Sequence, residues 1–286
     1  MSARRNGRVY ECVLLDINTQ YDFCDANGAF PVNDTPSFVS ALRRMVAWAK
    51  RNYAPVVSSM ESHRPLELSD SGYPIHCVDG SCGQRKLEFT LFPTRTNVEV
   101  DNTPCVPTDL FQHYQQVIFR KRGDDLLGNP KADRLLTQLR VEEYLLFGAG
   151  MDGPVKAAAM ALLARAKKVT IIVDACGYWS KANADLALRQ LVAKGAQLST
   201  VAELRSRKLD RRHRYDSTNG NRRVNGRNGR ALPSGGANSG HPADEKEAAD
   251  GSPTSGRSRH RNGPLPGMPM NGRIPGSDET SDPDGR

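Results

Sequence analysis

Residues 144–175 read YLLFGAGMDGPVKAAAMALLARAKKVTIIVDA. An apolar run (144–147) enters a turn rich in glycine (Gly148, Gly150, Gly153), and a helical pattern opens at Pro154. A second apolar, β-branched run (169–173) follows and ends in Asp174-Ala175. Strand, turn, helix and strand in that order predict a crossover between parallel strands, and sites in open parallel sheets lie at the carboxyl ends of such strands. Pro154 suits the first turn of a helix, with Asp152 or Gly153 as its cap. It brings no nucleophile and no backbone N–H to that turn.

The same alternation extends outward. Residues 9–17 (VYECVLLDI) predict a first strand, and 37–51 (SFVSALRRMVAWAKR) carry apolar residues at helical spacing, with Thr35 or Ser37 as a possible cap. Residues 54–59 (APVVSS) and 116–119 (QVIF) predict two more strands, with a short helix over 110–114 and another helix over 130–139. The helix from Pro154 is expected to reach 167, another to span 182–194, and an edge strand to occupy 197–201 before a turn at 202–204. The stretch 61–107 is polar and irregular, and its length marks it as a functional insertion. Strands alternate with helices throughout, which predicts a three-layer α/β/α fold with a mainly parallel sheet.

Composition divides the chain into an ordered domain over 8–206 and an Arg/Gly/Asn/Pro-rich tail over 207–286, where the apolar runs stop and Tyr215 is the one aromatic. Such a tail cannot bury enough apolar surface to offset its chain entropy and is expected to be disordered. Of a formal charge of +8, residues 205–230 hold ten Arg or Lys against Asp210 and Asp216. A basic run of this kind can touch a polyanion, although no aromatic stacking pattern accompanies it and a solubilising role is the plainer reading. The six cysteines (Cys12, Cys24, Cys77, Cys82, Cys105, Cys176) follow neither a zinc spacing nor a disulfide framework, so reduced thiols in a cytoplasmic protein are expected. Residues 1–17 read as a strand rather than a signal peptide because Glu11 and Asp16 interrupt the apolar run, and no stretch of about 20 apolar residues predicts a membrane span.

Three stretches resemble the isochorismatase-like cysteine hydrolases, which include the nicotinamidases. LLDINTQYDFCDANGAFPV (14–32) is similar to the family's opening, an apolar strand followed by Asp, any residue, Gln, any residue, Asp-Phe. Aligning Gln20, Asp22 and Phe23 places Asn18 at the catalytic Asp and Phe23 against the substrate. YPIHCVDGSCGQRKLEFT (73–90) is similar to a Pro-X-His-Cys-Val-X-Gly-Thr-X-Gly-Gln segment. The Gly148–Val155 turn resembles the nucleophile turn, with Pro154 where the thiol belongs. The resemblance covers about 9–205. It implies that Lys121, in FRKRGDD, is the family lysine, with Arg120 or Arg122 as the alternatives in register. It also implies an oxyanion hole of N–H groups at this helix start, from which Pro154 removes at least one donor. A slip of register would bring Asp16 to the Asp position instead, on the same face of the strand and about 6–7 Å deeper.

The nicotinamidases hold a metal with an Asp and His residues. Glu61, His63 and His76 match those positions, and a carboxylate with two imidazoles suits zinc, iron or manganese. Glu for Asp adds a methylene. Ser62 stands where nicotinamidases often have Trp, which takes away an aromatic wall for a pyridine ring. Cys24, Cys77 and Cys176 have family counterparts that are not the nucleophile and are expected to be structural.

An amide at position 18 cannot act as a general base near neutral pH, and proline cannot be a nucleophile. The expectation is therefore a pseudoenzyme or ligand- and metal-binding scaffold, with a small-molecule ligand, no organic cofactor and a homo-oligomeric state as in the family. The alternative is a divergent metal-assisted hydrolase acting on a C–N bond of a small amide. A third reading, a tether that works through its basic tail, predicts salt-sensitive polyanion binding.

Overall fold

The computed structural model describes residues 8–67, 72–99, 103, 105–107 and 109–210. All belong to one unit, Met1–Ala231, and a second unit, Leu232–Arg286, lies outside the described residues.

Seven strands form one sheet: β1 (Val9–Ile17), β2 (Val56–Glu61), β3 (Arg95–Val98), β4 (Gln116–Lys121), β5 (Arg140–Ala149), β6 (Val169–Gly177) and β7 (Gln197–Ser199). Their order is β3-β4-β2-β1-β5-β6-β7, and every pairing is parallel. The order reverses on either side of β1, so the carboxyl ends of β1, β2, β4 and β5 open onto one crevice. Seven helices complete the fold: α1 (Tyr21–Cys24), α2 (Thr35–Asn52), α3 (Leu110–His113), α4 (Pro130–Gln138), α5 (Pro154–Ala164), α6 (Lys181–Ala193) and α7 (Val201–Arg205).

The period of two along each strand feeds two cores, one on each face of the sheet. Val13, Leu15 and Ile17 of β1 join Tyr144 and Leu146 of β5 beneath α4, α5 and α6. Cys12 and Leu14 join Leu145, Phe147 and Ala149 on the other face, against Phe38, Leu42, Met45 and Ala49 of α2. Strands covered on both faces read as continuous apolar runs, which is why they were conspicuous in the sequence. Each large apolar side chain so buried contributes about 1.5–3 kcal/mol.

The structure departs from the expected elements: α5 ends at Ala164 rather than 167 and β7 at Ser199 rather than 201. The irregular stretch contains a seventh, edge strand, β3, parallel to β4, and a short 3-10 turn over Glu88–Thr90. β5 begins at Arg140 and β6 runs on to Gly177, so both are longer than their apolar runs. The turn expected at 202–204 is the helix α7, held by a capping box between Thr200 and Glu203. The packed chain also continues beyond 206. Arg207 bonds Glu11 (3.2 Å) and Glu143 (2.5 Å), Trp48 Nε1 donates to its carbonyl (3.1 Å), and Leu209 is buried. The remainder of the basic tail, 211–286, lies outside the described residues. Among the described residues no helix is long and apolar enough to cross a membrane.

Candidate active site and metal centre

The crevice holds a cavity of about 420 Å³, lined among others by Phe23, Glu61, His63, His76 and Pro154. Asn18 ends β1 with a φ of +50°, a left-handed conformation that Asn tolerates better than most residues. Its amide Nδ2 donates to Glu61 Oε2 at 2.6 Å, and its Oδ1 accepts from Ser59 Oγ at 2.8 Å. Lys121, at the end of β4 and paired in register with Glu61, reaches the same Oε2 at 2.8 Å and the Gly123 carbonyl at 2.7 Å. Of the two neighbouring arginines, Arg120 pairs with Glu99 (3.1 Å), and Arg122, which lines the cavity, pairs with Glu67. Asp16 is enclosed deeper in β1, where it bonds Lys86 (3.0 Å), Ser58 (2.7 Å) and Thr19 (2.7 Å).

Glu61 gathers the site. Its Oε1 meets His63 Nε2 at 2.8 Å and His76 Nε2 at 3.2 Å. Its backbone is clamped by Gln20, whose Oε1 accepts from Glu61 N (2.7 Å) and whose Nε2 donates to Glu61 O (2.8 Å). Burial alone would raise its pKa, but the Lys121 ammonium and the bonds from both imidazoles override burial and hold the carboxyl well below the usual carboxylate range. For His76, burial disfavours the charged ring, yet the bonds to Glu61 and to the Pro74 carbonyl (2.7 Å) prevail and raise its pKa.

One ligand atom from each of Glu61, His63 and His76 can be chosen so that all three lie within 4.8 Å of one another, and all three residues are buried. The Nδ1–H of His76 donates to Pro74 O, which leaves Nε2 directed at the carboxylate, the outer-shell arrangement that orients a metal-binding imidazole. The donor set therefore fits a divalent ion of the zinc, iron or manganese type.

The turn before α5 is shaped by Gly150, at φ +90°, where an added Cβ would lie 2.6 Å from the Pro154 ring and 2.8 Å from Trp179. The N–H groups of Gly153 and Val155 both donate to the Gly150 carbonyl, at 3.1 and 2.9 Å. With proline between them, residues 153–155 direct no backbone donor into the cavity. The isochorismatase domain profile matches residues 12–203. The chain belongs to the isochorismatase domain family.

Similar solved structures include the pyrazinamidase of Pyrococcus horikoshii in complex with zinc, at 20% identity and a TM-score of 0.52, covering 66% of this chain and 99% of that one. The nicotinamidase PncA of Bacillus subtilis aligns at 17% identity and 0.53, with coverage of 66% and 99%. An isochorismatase-like hydrolase of Alkaliphilus metalliredigens aligns at 18% and 0.55, with coverage of 68% and 98%. At these identities the likeness shows the fold. No curated protein matches the chain.

Within this isochorismatase domain, none of the six cysteines lines the cavity. Cys176 is buried and its thiol is pushed up to about 12 by that burial; Cys24 and Cys77 are raised further for the same reason. Ser62 faces away from the cavity, bonded to Asp79 and Gln84. An aromatic wall nevertheless exists, a correction to the expectation drawn from Ser62. Phe30, Tyr73 and Trp179 supply it, and Phe23 meets Trp179 edge-on at 5.5 Å and His76 at 5.2 Å. Sequence reasoning also missed Asp124 and Asp152, which line the same cavity. Asp124 follows Lys121 by three residues, and Asp152 precedes Pro154 by two, so proximity to matched motif positions was the available signal.

Proposed function

We propose that this chain is a ligand- and metal-binding member of the isochorismatase domain family that does not carry out thiol hydrolysis. One observation carries the reading. Pro154 lines the cavity at the thiol position, while the residue at the general-base position, Asn18, spends its amide as a donor to Glu61. The support is chemical. No thiol reaches the cavity, no backbone donor from 153–155 is free for an oxyanion, and Lys121 is committed to Glu61 and a carbonyl. Glu61, His63 and His76 would hold the metal, which would supply a Lewis-acid contact for a ligand heteroatom. Free thiols throughout suit a reducing compartment, the cytoplasm.

The test combines zinc binding with turnover on the purified chain. Equilibrium dialysis is expected to give about one zinc per chain, lost in Glu61→Gln. Nicotinamide and a panel of small amides are expected to hydrolyse no faster than in buffer. Turnover that iodoacetamide abolishes would refute the reading. The preserved triad favours one alternative, metal-assisted hydrolysis of a small amide, and chelator-sensitive, alkylation-resistant turnover would establish it in place of the scaffold.

A further inference from the structure

The walls of the cavity define a class of ligand, given the reading above that the cavity binds one. Phe30 and Trp179 stack at 4.6 Å between centroids with 12° between planes, and Tyr73 lies 5.7 Å from Phe30. Glu61, Asp124 and Asp152 also line the cavity, and their charges are not equally compensated. Glu61 is paired with Lys121 at 2.8 Å. Asp152 accepts backbone N–H groups from Trp179 (3.2 Å) and Ser180 (2.7 Å). Arg122, the one Arg or Lys in the lining, is paired with Glu67. Asp124 has neither a hydrogen bond nor an ion pair among the described residues. Its Oδ2 lies 3.3 Å from where a Cβ on Gly153 would be, beside the opening of α5.

The cavity thus presents aromatic rings and acceptor oxygens, while the helix start that could receive an anion has lost one N–H to proline and turned two others inward. Ring faces and carboxylates both attract cations. Away from Glu61, whose charge Lys121 and the metal of the reading above would offset, an anionic ligand would meet the carboxylates of Asp124 and Asp152. We propose that the cavity binds a small organic cation, a compact or aromatic amidinium or ammonium, with its charged nitrogen between the Asp124 carboxylate and the Phe30–Tyr73–Trp179 wall. Partial desolvation beside the cavity raises the Asp124 carboxyl above its usual value; Lys121 opposes that shift, and Glu61 and Asp152 add to it. A carboxylate whose charged form is disfavoured in this way gains from a cationic partner.

Isothermal titration of the purified chain with benzamidinium, benzamide and benzoate tests the proposal, because the three probes are similar in shape and differ in charge. Benzamidinium is expected to bind at least about tenfold more tightly than benzamide, with benzoate the weakest. Asp124→Asn is expected to bring benzamidinium within about threefold of benzamide while benzamide itself is unchanged, which also reports a folded cavity. Trp179→Leu should weaken benzamidinium more than benzamide. Benzamide or benzoate binding as tightly as the cation would overturn the proposal and leave the ligand-binding reading intact. Retention of the full cation preference in Asp124→Asn would overturn it as well. If none of the three binds, the proposal falls, and the zinc stoichiometry decides the metal-binding reading separately.

Discussion

Replacing Asn18 by Asp would install the carboxylate that the resemblance places there, yet the geometry predicts that it damages the protein. Asn18 Nδ2 lies 2.6 Å from Glu61 Oε2, and both side chains are buried. A carboxylate at that place would meet another at about 3 Å, a repulsion of roughly 5 kcal/mol at an effective dielectric of about 20. Protonating the new carboxyl avoids it and returns a donor to Glu61, which Lys121 and the two imidazoles keep ionised. Taking up that proton at pH 7, from an ordinary Asp value near 3.9, costs about 4 kcal/mol, and at pH 5 about 1.5 kcal/mol. The new group therefore has a folded-state pKa above its unfolded one. Between those two values the folded state binds the extra proton, so Asn18→Asp loses stability relative to wild type as pH rises and recovers as pH falls toward 4. For a domain of about 200 residues, 1 kcal/mol moves Tm by about 2–4 °C. The expected deficit is about 8–16 °C at pH 7 and about 3–6 °C at pH 5. Thermal unfolding of both proteins across that range is the assay. Equal stability at pH 7, or a deficit that does not change with pH, would mean that the carboxylate is ionised and accommodated, and the assignment of Glu61 as the site's fixed anion would be wrong.

Three further outcomes are expected. Zinc affinity should fall by about tenfold per pH unit on acidification and begin falling at a pH above the usual histidine range, because His76 is raised and must shed a proton to ligate; competition with a fluorescent chelator measures it. Pro154→Cys should not restore amide turnover, since Asn18 cannot take the thiol proton, and iodoacetamide rates against pH should show a thiol no more acidic than about 8. Lys86→Met should destabilise the fold by about 3–5 kcal/mol in urea, because it strands the buried Asp16 carboxylate that Lys86 meets at 3.0 Å.

What the sequence disclosed, and what it hid, follows from how each feature is built. β1, β5 and β6 are buried on both faces, so their central residues form apolar runs that need no partner to be recognised. β3 reads RTNV, with exposure alternating along it, and nothing apolar but Val98 marks it as a strand; it exists because the register with β4 completes the sheet edge. The motif positions Asn18, Glu61, His63, His76 and Lys121 do converge, because parallel strands deliver their carboxyl ends to one side of the sheet. Phe30, Asp124 and Trp179 come from separate loops with no shared spacing. Only the folded chain shows that they line one cavity.

The added methylene of Glu61 was visible in the sequence, but its consequence was not. With that reach, a single carboxylate spans the imidazoles through Oε1 and Lys121 through Oε2. An ionised Asp at position 18 could not share that space, whereas an amide bonds to it. Asn18 and Glu61 therefore fit each other. The carboxylate that Lys121 bonds is Glu61, at the end of β2, and it is tied into the candidate metal triad, while Asp124 is a second carboxylate whose charge Lys121 reaches. A thiol placed at position 154 is expected to find the lysine neutralised by Glu61 and an amide rather than a carboxylate at position 18. On the function proposed above, thiol chemistry would require changes at Asn18, Glu61 and Pro154 together, because Asn18 and Glu61 bond each other and Glu61 and Pro154 line one cavity.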